Sequence, residues 1–406
     1  MRLRHLFYKN KKRKNKVILH VLGIPVYVKK YDNKYAYYSL FGIRIIKKRK
    51  EKIQQEGGID LRLDRNVCNV AILLNGGLGD QLINANFIYL LRQKIKNKQL
   101  RIDIYEPRNL SHAIFKEGNY VDHIYSEQHP KHNQYDLSIE LSRFPILRNV
   151  NKRRIPFLCP ELYEMVQIWE KDNVEKYRFI DFNPRLDGLL NKYYLLKGYK
   201  RWEQFDIDHK LGMTESFPTP MFIDISEKDY LKRLKLPAKF ITIHRGVDVR
   251  ADAGSVKQWP VKYYNELIGL IRTKYPKVFI VQLGDSKERC PEFDGISLNL
   301  SGETTLEELK VLLKHSFLHI DNEGGMVHLR HALQGGQSIV LFGPTDPNVY
   351  GYTENTNLIG KGCIGGCEWI HEHWQKECAL GAFCPPCQYS LKPDVVFKHF
   401  MKIMGK

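Results

Sequence analysis

The sequence predicts an α/β protein with two doubly wound, Rossmann-like domains facing a cleft and a small basic, β-rich extension at the N-terminus. Two observations support this class. Apolar strands alternate with amphipathic helices from Cys68 onward, and the alternation restarts near Ala238. The chain of 406 residues is also long enough for two domains of ordinary size. We expect an extension and linker at 1–65, domains at 66–220 and 221–388, and a C-terminal helix at 389–406.

The N-terminal extension holds most of the positive charge. Residues 1–52 contain 17 lysines and arginines against Asp32 and Glu51, which is +15 of the total +19. Such a segment favours polyanions, including an anionic membrane surface, a phosphorylated glycan or nucleic acid, although a solvated tail would have the same composition. The run at 22–30 returns at 41–49, which predicts a small hairpin-like unit with basic strand ends.

No apolar stretch is long enough to cross a membrane as a helix. The nearest candidate, 17–28, is interrupted by His20 and Pro25. It is also not followed by a small-residue cleavage site typical of a signal peptide. We therefore expect a cytoplasmic protein, with the basic extension able to hold it at the inner membrane.

The first α/β domain opens with a continuous apolar run at 69–74, typical of a parallel strand buried on both faces. A glycine-rich turn at 75–80 leads into a helix predicted at 81–96. Further strands are predicted at 100–105 and 136–141. The aromatic and charged region 150–215 shows no order of elements.

The second α/β domain repeats the alternation. Its predicted strands and helices are strand 240–244, helix 261–274, strand 278–283, helix 306–315, strand 317–321, helix 326–334 and strand 337–342. Ligands of open α/β sheets bind outside the carboxyl ends of the strands. Three loops occupy such ends, and they begin near Lys257, Glu323 and Gly343. The glycines before His328 place backbone N–H groups at a helix start, which favours an anion.

Each loop also has an ordinary structural interpretation. Lys257 could be a surface lysine, Trp259-Pro260 could simply begin a helix, and a histidine such as His328 is often a core residue. The order of the three motifs on successive strand ends is what favours a ligand site.

That order resembles the heptosyltransferases of glycosyltransferase family nine, whose two-domain fold is called GT-B. The segments that are similar to family motifs are Lys257-Gln258-Trp259-Pro260, Leu283-Gly284-Asp285, Leu300 to Leu306, Glu323 to His328, Leu341 to Pro347 and Gly79-Asp80. The resemblance covers about residues 68–404.

The resemblance implies an inverting glycosyltransferase that uses a nucleotide-sugar donor, with ADP-heptose as one candidate, and needs no catalytic cofactor. Asp80 is then the general base, and Lys257 neutralises the departing diphosphate. The domain at 66–220 becomes the acceptor side and 221–388 the donor side. The donor-binding residues implied are Gly79, His244, Trp259, Glu323, Gly324, Gly325, Met326, His328, Thr345 and Asp346.

Two positions depart from the family pattern. Glu323-Gly324 replaces the family's Asp-Thr, and Asn84-Ala85-Asn86 replaces a downstream Thr-Pro. The identity of the sugar and of the acceptor therefore stays open.

Five cysteines lie within 25 residues near the C-terminus: Cys363, Cys367, Cys378, Cys384 and Cys387. In a cytosolic chain such a cluster favours a structural metal, zinc or iron, over disulfides, with free thiols as the alternative. Related autotransporter heptosyltransferases bind iron through cysteines after the same domain, which the resemblance extends to this cluster.

Three functions follow from these features. The first is a transferase acting on a bacterial surface glycan or glycolipid such as lipopolysaccharide core, and the second is an autotransporter-type transferase acting on protein. The third is a non-catalytic nucleotide-binding protein whose basic arm contacts nucleic acid. The third is disfavoured because the body of the chain lacks a nucleic-acid module. The oligomeric state is left open.

Overall fold

A computed structural model of the chain describes residues 8–13, 16–21, 24–31, 35–40, 43–49, 63–95, 99–107, 110–126, 129–180, 187–206, 209–213, 221–246, 256–286, 290–363, 365–371 and 373–405. For 8–49, 175–180 and 187–189 it describes the backbone alone. The chain divides into two units, Met1–Asp60 and Leu61–Lys406.

The first unit contains an antiparallel sheet whose five strands pair in chain order. The strands are β1 (Tyr8–Arg13), β2 (Lys16–Val21), β3 (Ile24–Tyr31), β4 (Tyr35–Leu40) and β5 (Ile43–Arg49). The repeated runs fall on β3 and β5, which are separated by β4. The predicted hairpin-like unit is thus β-rich but larger than expected, because β1, β2 and β4 lie outside the repeat.

The second unit begins with a mostly parallel sheet. Its elements are β6 (Cys68–Leu74), α1 (Leu78–Lys94), β7 (Leu100–Glu106), α2 (Ser111–Ile114), β8 (His123–Ser126), β9 (Leu137–Leu141) and β10 (Pro145–Val150). The strand order is β10-β9-β6-β7-β8, and β10 is antiparallel to its neighbour. All seven residues of the central strand β6 are buried, as its continuous apolar run predicts.

Three helices fill the region that the sequence pattern left without order: α3 (Ile155–Leu158), α4 (Pro160–Ile180) and α5 (Asp187–Leu196). A turn of 3-10 helix follows at Glu203–Phe205. This segment connects the two sheets and supplies several of the contacts described below.

The second sheet is entirely parallel. Its elements are α6 (Glu227–Arg233), β11 (Phe240–His244), α7 (Val261–Lys274), β12 (Phe279–Leu283), β13 (Leu298–Asn299), α8 (Leu306–His315), β14 (Leu318–Asn322), α9 (Gly325–Ala332), β15 (Ser338–Phe342), α10 (Pro347–Tyr350), β16 (Thr356–Ile359), α11 (Pro386–Tyr389) and α12 (Pro393–Met404). The order β13-β12-β11-β14-β15-β16 is that of a doubly wound dinucleotide-binding sheet, and its direction switches between β11 and β14. The predicted α/β class is confirmed, with the switch point marking where a ligand should bind.

Within the part of the chain that the structure describes, no helix combines the length and the apolar character needed to span a bilayer.

Candidate active site

Asp80 lies in the first turn of α1, at the carboxyl end of the central strand β6. Gly76 has φ +108°, and a Cβ on it would lie 2.2 Å from the Asp80 Cβ, so only glycine fits there. Asp80 Oδ2 accepts a hydrogen bond of 3.1 Å from the Gly77 N–H. The carboxylate is thereby fixed at the positive end of the α1 dipole, with 38% of the side chain exposed to solvent.

The first turns of α1 and α9 meet at two glycines. A Cβ on Gly79 would lie 2.6 Å from His328 Cδ2, and a Cβ on Gly325 would lie 3.0 Å from Leu78 Cβ. The first N–H groups of a helix have no acceptor within the helix and attract anions. The close approach therefore brings the Asp80 loop, which follows β6 of the first parallel sheet, against the helix start that follows β14 of the second.

Lys257 supplies a cation beside the start of α9. Its Nζ lies 2.8 Å from Glu323 Oε2, and both side chains are largely buried. Burial would lower the pKa of Lys257, but the nearby carboxylates of Glu323, Glu368 and Asp80 raise it above its usual value. Burial acts in the opposite direction on Glu323, whose pKa the Lys257 charge holds well below its usual range. Lys257 is thus a cation and Glu323 an anion at neutral pH.

His328 is fixed by a stack of aromatic rings. Its Nδ1 lies 2.7 Å from the Tyr352 hydroxyl, and its Nε2 lies 3.7 Å from Glu323 Oε1. The Tyr352 ring stacks on His331 with ring centroids 3.7 Å apart and on Trp202 with centroids 4.6 Å apart. Trp202 comes from the connecting segment, so the orientation of His328 depends on both halves of the unit.

His244 ends β11, at the switch point of the second sheet. Its Nδ1 lies 2.9 Å from Asp321 Oδ1. Burial would lower the pKa of His244, but the Asp321 carboxylate raises it to about 10. His244 is therefore a fixed cation at neutral pH, close to the predicted donor side.

The other predicted donor-binding residues differ in their surroundings. Trp259 is fully buried in the core of the second domain, where its indole N–H donates to the Leu391 carbonyl. Its side chain therefore anchors the Lys257 loop to the core and is not exposed to a ligand. Asp346 caps α10 and pairs with Lys192 of α5 at 2.7 Å. Thr345 is buried, and Met326 is half-buried in the first turn of α9.

Sequence reasoning missed a buried polar network between the two domains. Arg143 donates to Tyr350 Oη at 2.7 Å and to Glu368 Oε1 at 3.1 Å. Asn191 donates to the same hydroxyl at 3.0 Å. Arg201 is completely buried and contacts Asp80. The sequence offered no signal for this network, because Arg201 lies in an aromatic segment without a periodic pattern that would distinguish it.

The cysteine cluster does not form the expected metal site in the described residues, among which no three potential ligands gather closely enough to hold an ion. All eight cysteines are free thiols. Cys384 is exposed, whereas Cys387 is buried in α11. Burial raises the pKa of Cys387 to about 12, and the charges of Cys363, Cys367 and Cys378 raise it as well. The thiols are close enough to interact, but this arrangement supports no structural zinc or iron.

The chain shares sequence features with one known family. Residues 226–368 match the profile of glycosyltransferase family 9 (heptosyltransferase). This stretch includes the loops that begin at Lys257, Glu323 and Gly343. No curated protein sequence matches the chain significantly.

Several solved structures of bacterial proteins are similar to the chain. One is the iron-containing dodecameric glycosyltransferase TibC of enterotoxigenic Escherichia coli, which superposes with a TM-score of 0.55 at 12% sequence identity. The superposition covers 91% of this chain and 82% of TibC. The complex of TibC with ADP-D-β-D-heptose superposes with a TM-score of 0.55 at 11% sequence identity, covering 93% of this chain and 84% of TibC. E. coli ADP-heptose lipopolysaccharide heptosyltransferase II superposes with a TM-score of 0.49 at 14% sequence identity, covering 83% of this chain and 98% of that protein. The similarity to TibC confirms the GT-B fold.

Proposed function

We propose that the chain, in which residues 226–368 match glycosyltransferase family 9, transfers a sugar from a nucleotide diphosphate donor to a hydroxyl group with inversion. The observation that carries this proposal is the convergence of Asp80, Lys257, His328 and the start of α9 at the junction of the two sheets. The proposed general base and the proposed anion site thus lie beside each other, on two helix starts that are in contact.

In the proposed reaction the acceptor hydroxyl attacks the anomeric carbon while Asp80 takes its proton. The bond between the anomeric carbon and the diphosphate oxygen breaks on the opposite face, and the electron pair leaves with the diphosphate. Negative charge therefore grows on the leaving group in the transition state. Lys257, His328 and the first amides of α9 stabilise that charge more in the transition state than in the ground state.

Before a donor binds, the charge of Lys257 in the proposed donor site is neutralised by Glu323. The two side chains neutralise each other at 2.8 Å. An arriving diphosphate competes with Glu323 for Lys257, and His244 supplies a second cation at the end of β11. We propose that the donor phosphates lie between these cations and the start of α9.

For the substrates, we propose ADP-heptose as the first donor to test and a bacterial surface glycan or glycolipid, such as lipopolysaccharide core, as the acceptor. The basic residues among 1–52 would hold the enzyme at an anionic membrane on the cytoplasmic side. A protein acceptor is the competing outcome of the same assay.

The experiment combines binding with product analysis. Purified full-length protein is titrated calorimetrically with a panel of nucleotide sugars, and the best donor is then incubated with a glycolipid and with a protein acceptor. We expect one donor to bind and the anomeric configuration of the product, read by nuclear magnetic resonance, to be inverted. Absence of binding by every donor, or a product with retained configuration, would contradict the proposal.

A further inference from the structure

Arg201 lies between the two loops that leave the switch point of the first sheet. Its Nη2 donates to the Ser142 carbonyl, just after β9, at 2.7 Å. The same nitrogen lies 3.4 Å from Asp80 Oδ1, just after β6. The guanidinium therefore bridges the ends of two neighbouring strands and contacts the carboxylate oxygen that the Gly77 amide does not.

The backbone of Arg201 is held by the other domain. The Arg201 N–H donates to the Val349 carbonyl of α10 at 2.9 Å. The preceding Lys200 Nζ donates to the Gly351 carbonyl at 2.8 Å, and the following Trp202 stacks on Tyr352. Three successive residues are thus attached to one short stretch that follows β15 of the donor-side sheet.

Burial excludes a direct role for Arg201 in binding a substrate. None of its surface is exposed, and Nε and Nη1 have no hydrogen-bond acceptor among the residues described. Burial lowers the pKa of Arg201, the nearby Arg143 lowers it further, and the Asp80 carboxylate opposes both. A buried cation without a compensating anion is strongly destabilising, so the Asp80 carboxylate stabilises the charge of Arg201.

On the basis of the base role proposed for Asp80, we infer that Arg201 is a positioning residue that orients the Asp80 carboxylate and couples it to the loop after β15. The Gly77 amide fixes Oδ2 and Arg201 fixes Oδ1. Together they set the plane of the carboxylate, leaving a lone pair of Oδ1 directed at the acceptor hydroxyl. Movement of residues 349–352 on donor binding is transmitted to Asp80 through the Arg201 backbone.

The test is a double-mutant cycle with Asp80→Asn, Arg201→Ala and the double variant in the full-length enzyme. We expect Arg201→Ala to lower kcat about 100-fold, as a displaced catalytic group does, with KM for the donor unchanged. The double variant should be no slower than Asp80→Asn alone, because Arg201 acts only through Asp80. Arg201→Lys should recover part of the lost kcat.

Arg92→Ala serves as the control. It removes a largely buried arginine from the last turn of α1, at the end of that helix away from Asp80, where Arg92 donates to the Leu100 carbonyl at 2.6 Å and pairs with Asp122. We expect it to lower Tm while keeping kcat within about twofold. If Arg201→Ala fails to fold, Arg201→Lys is used in its place, and it must lower kcat without raising KM.

The outcomes separate the two proposals. A wild-type rate for Asp80→Asn would show that Asp80 is not the base, which overturns the proposed function and this inference together. A slow Asp80→Asn whose loss multiplies with that of Arg201→Ala would overturn the positioning role alone. An equal fall in kcat for Arg92→Ala would also overturn it, because the effect would then be general to the loss of a buried arginine.

Discussion

At the scale of single residues, the proposed donor side contains buried pairs of opposite charge. Lys257 faces Glu323, and His244 faces Asp321, with separations of 2.8 and 2.9 Å. Breaking such a pair leaves one charge buried without compensation, which costs far more than the pair itself contributes. Substitutions here therefore have effects both on turnover and on stability, and each prediction needs a matched control.

Lys257→Ala should lower kcat about 100- to 1,000-fold, the usual cost of losing one group that stabilises developing negative charge. The measurement is steady-state transfer with the donor identified by titration. Lys262→Ala is the control, since Lys262 lies one turn further on, is 83% exposed and pairs only loosely with Glu266. A kcat for Lys257→Ala equal to that of the control would remove Lys257 from the catalytic step.

His244 should make folding stability depend on pH on the alkaline side. Its pKa is raised from 6.5 to about 10, so the folded protein binds this proton more tightly than the unfolded chain. The stabilisation is complete below pH 6.5 and is lost as the pH rises through 10. The free energy of unfolding, measured by denaturant titration from pH 6.5 to 10, should fall more steeply for wild type than for His244→Gln.

His123→Gln provides the comparison for that experiment, because it makes the same substitution at an exposed position on β8. Parallel curves for wild type and His244→Gln would mean that His244 is neutral in the folded protein.

At the scale of elements, the contact between the starts of α1 and α9 depends on glycine. Gly79→Ala should displace His328, because the new Cβ would lie 2.6 Å from its ring. We expect weaker donor binding and a stability loss of about 1–3 kcal/mol from the overpacking. Calorimetric titration with the donor and thermal unfolding measure the two effects.

Gly269→Ala on the exposed face of α7 is the matched glycine substitution. A Cβ there meets nothing within 4 Å, so the change should stabilise the protein by about 0.5–1 kcal/mol without altering donor binding. Unchanged donor affinity in Gly79→Ala would show that the helix contact does not position His328.

The sequence predicted the elements that have strong local patterns. The strands β6 and β11 were predicted within one residue because both are short, mainly apolar segments with β-branched residues, and both are buried along their length. The start of α1 was placed three residues late, since Gly77 caps the helix and Asp80 belongs to its first turn. Helices α4 and α5 were missed in a region whose mixture of aromatic and charged residues has no evident period.

The candidate site was predictable only in part for the same reason. Lys257, Glu323 and His328 follow strand ends within one domain, where spacing along the chain indicates proximity in space. Arg143 and Glu368 are 225 positions apart, and Arg201 and Asp80 are 121 apart. Such pairs arise from the way two domains pack, and nothing local to either residue indicates the partner.

At the scale of the whole molecule, the basic charge lies in a unit separate from the catalytic body. Deleting residues 1–60 removes the entire first unit. We expect the truncated protein to keep its Tm and its turnover on a soluble acceptor but to lose sedimentation with vesicles containing anionic lipid. The loss follows from removing most of the net charge of +19.

Zwitterionic vesicles and added salt provide the comparison for the truncation, because attraction to a charged surface is screened at high ionic strength. Equal sedimentation of both proteins with anionic vesicles would place the membrane contact on the body instead.

The stacking of Trp202 on Tyr352 provides an intrinsic fluorescence probe of this contact between the connecting segment and the second sheet. Trp202 belongs to the connecting segment and is 3% exposed, and its ring lies nearly parallel to that of Tyr352, at an interplanar angle of 4°. Indole emission shifts to longer wavelength when the ring is hydrated. The difference in fluorescence between wild type and Trp202→Phe therefore reports whether Trp202 stays packed on Tyr352. Stopped-flow mixing with the donor would time a separation of these two rings without any attached dye.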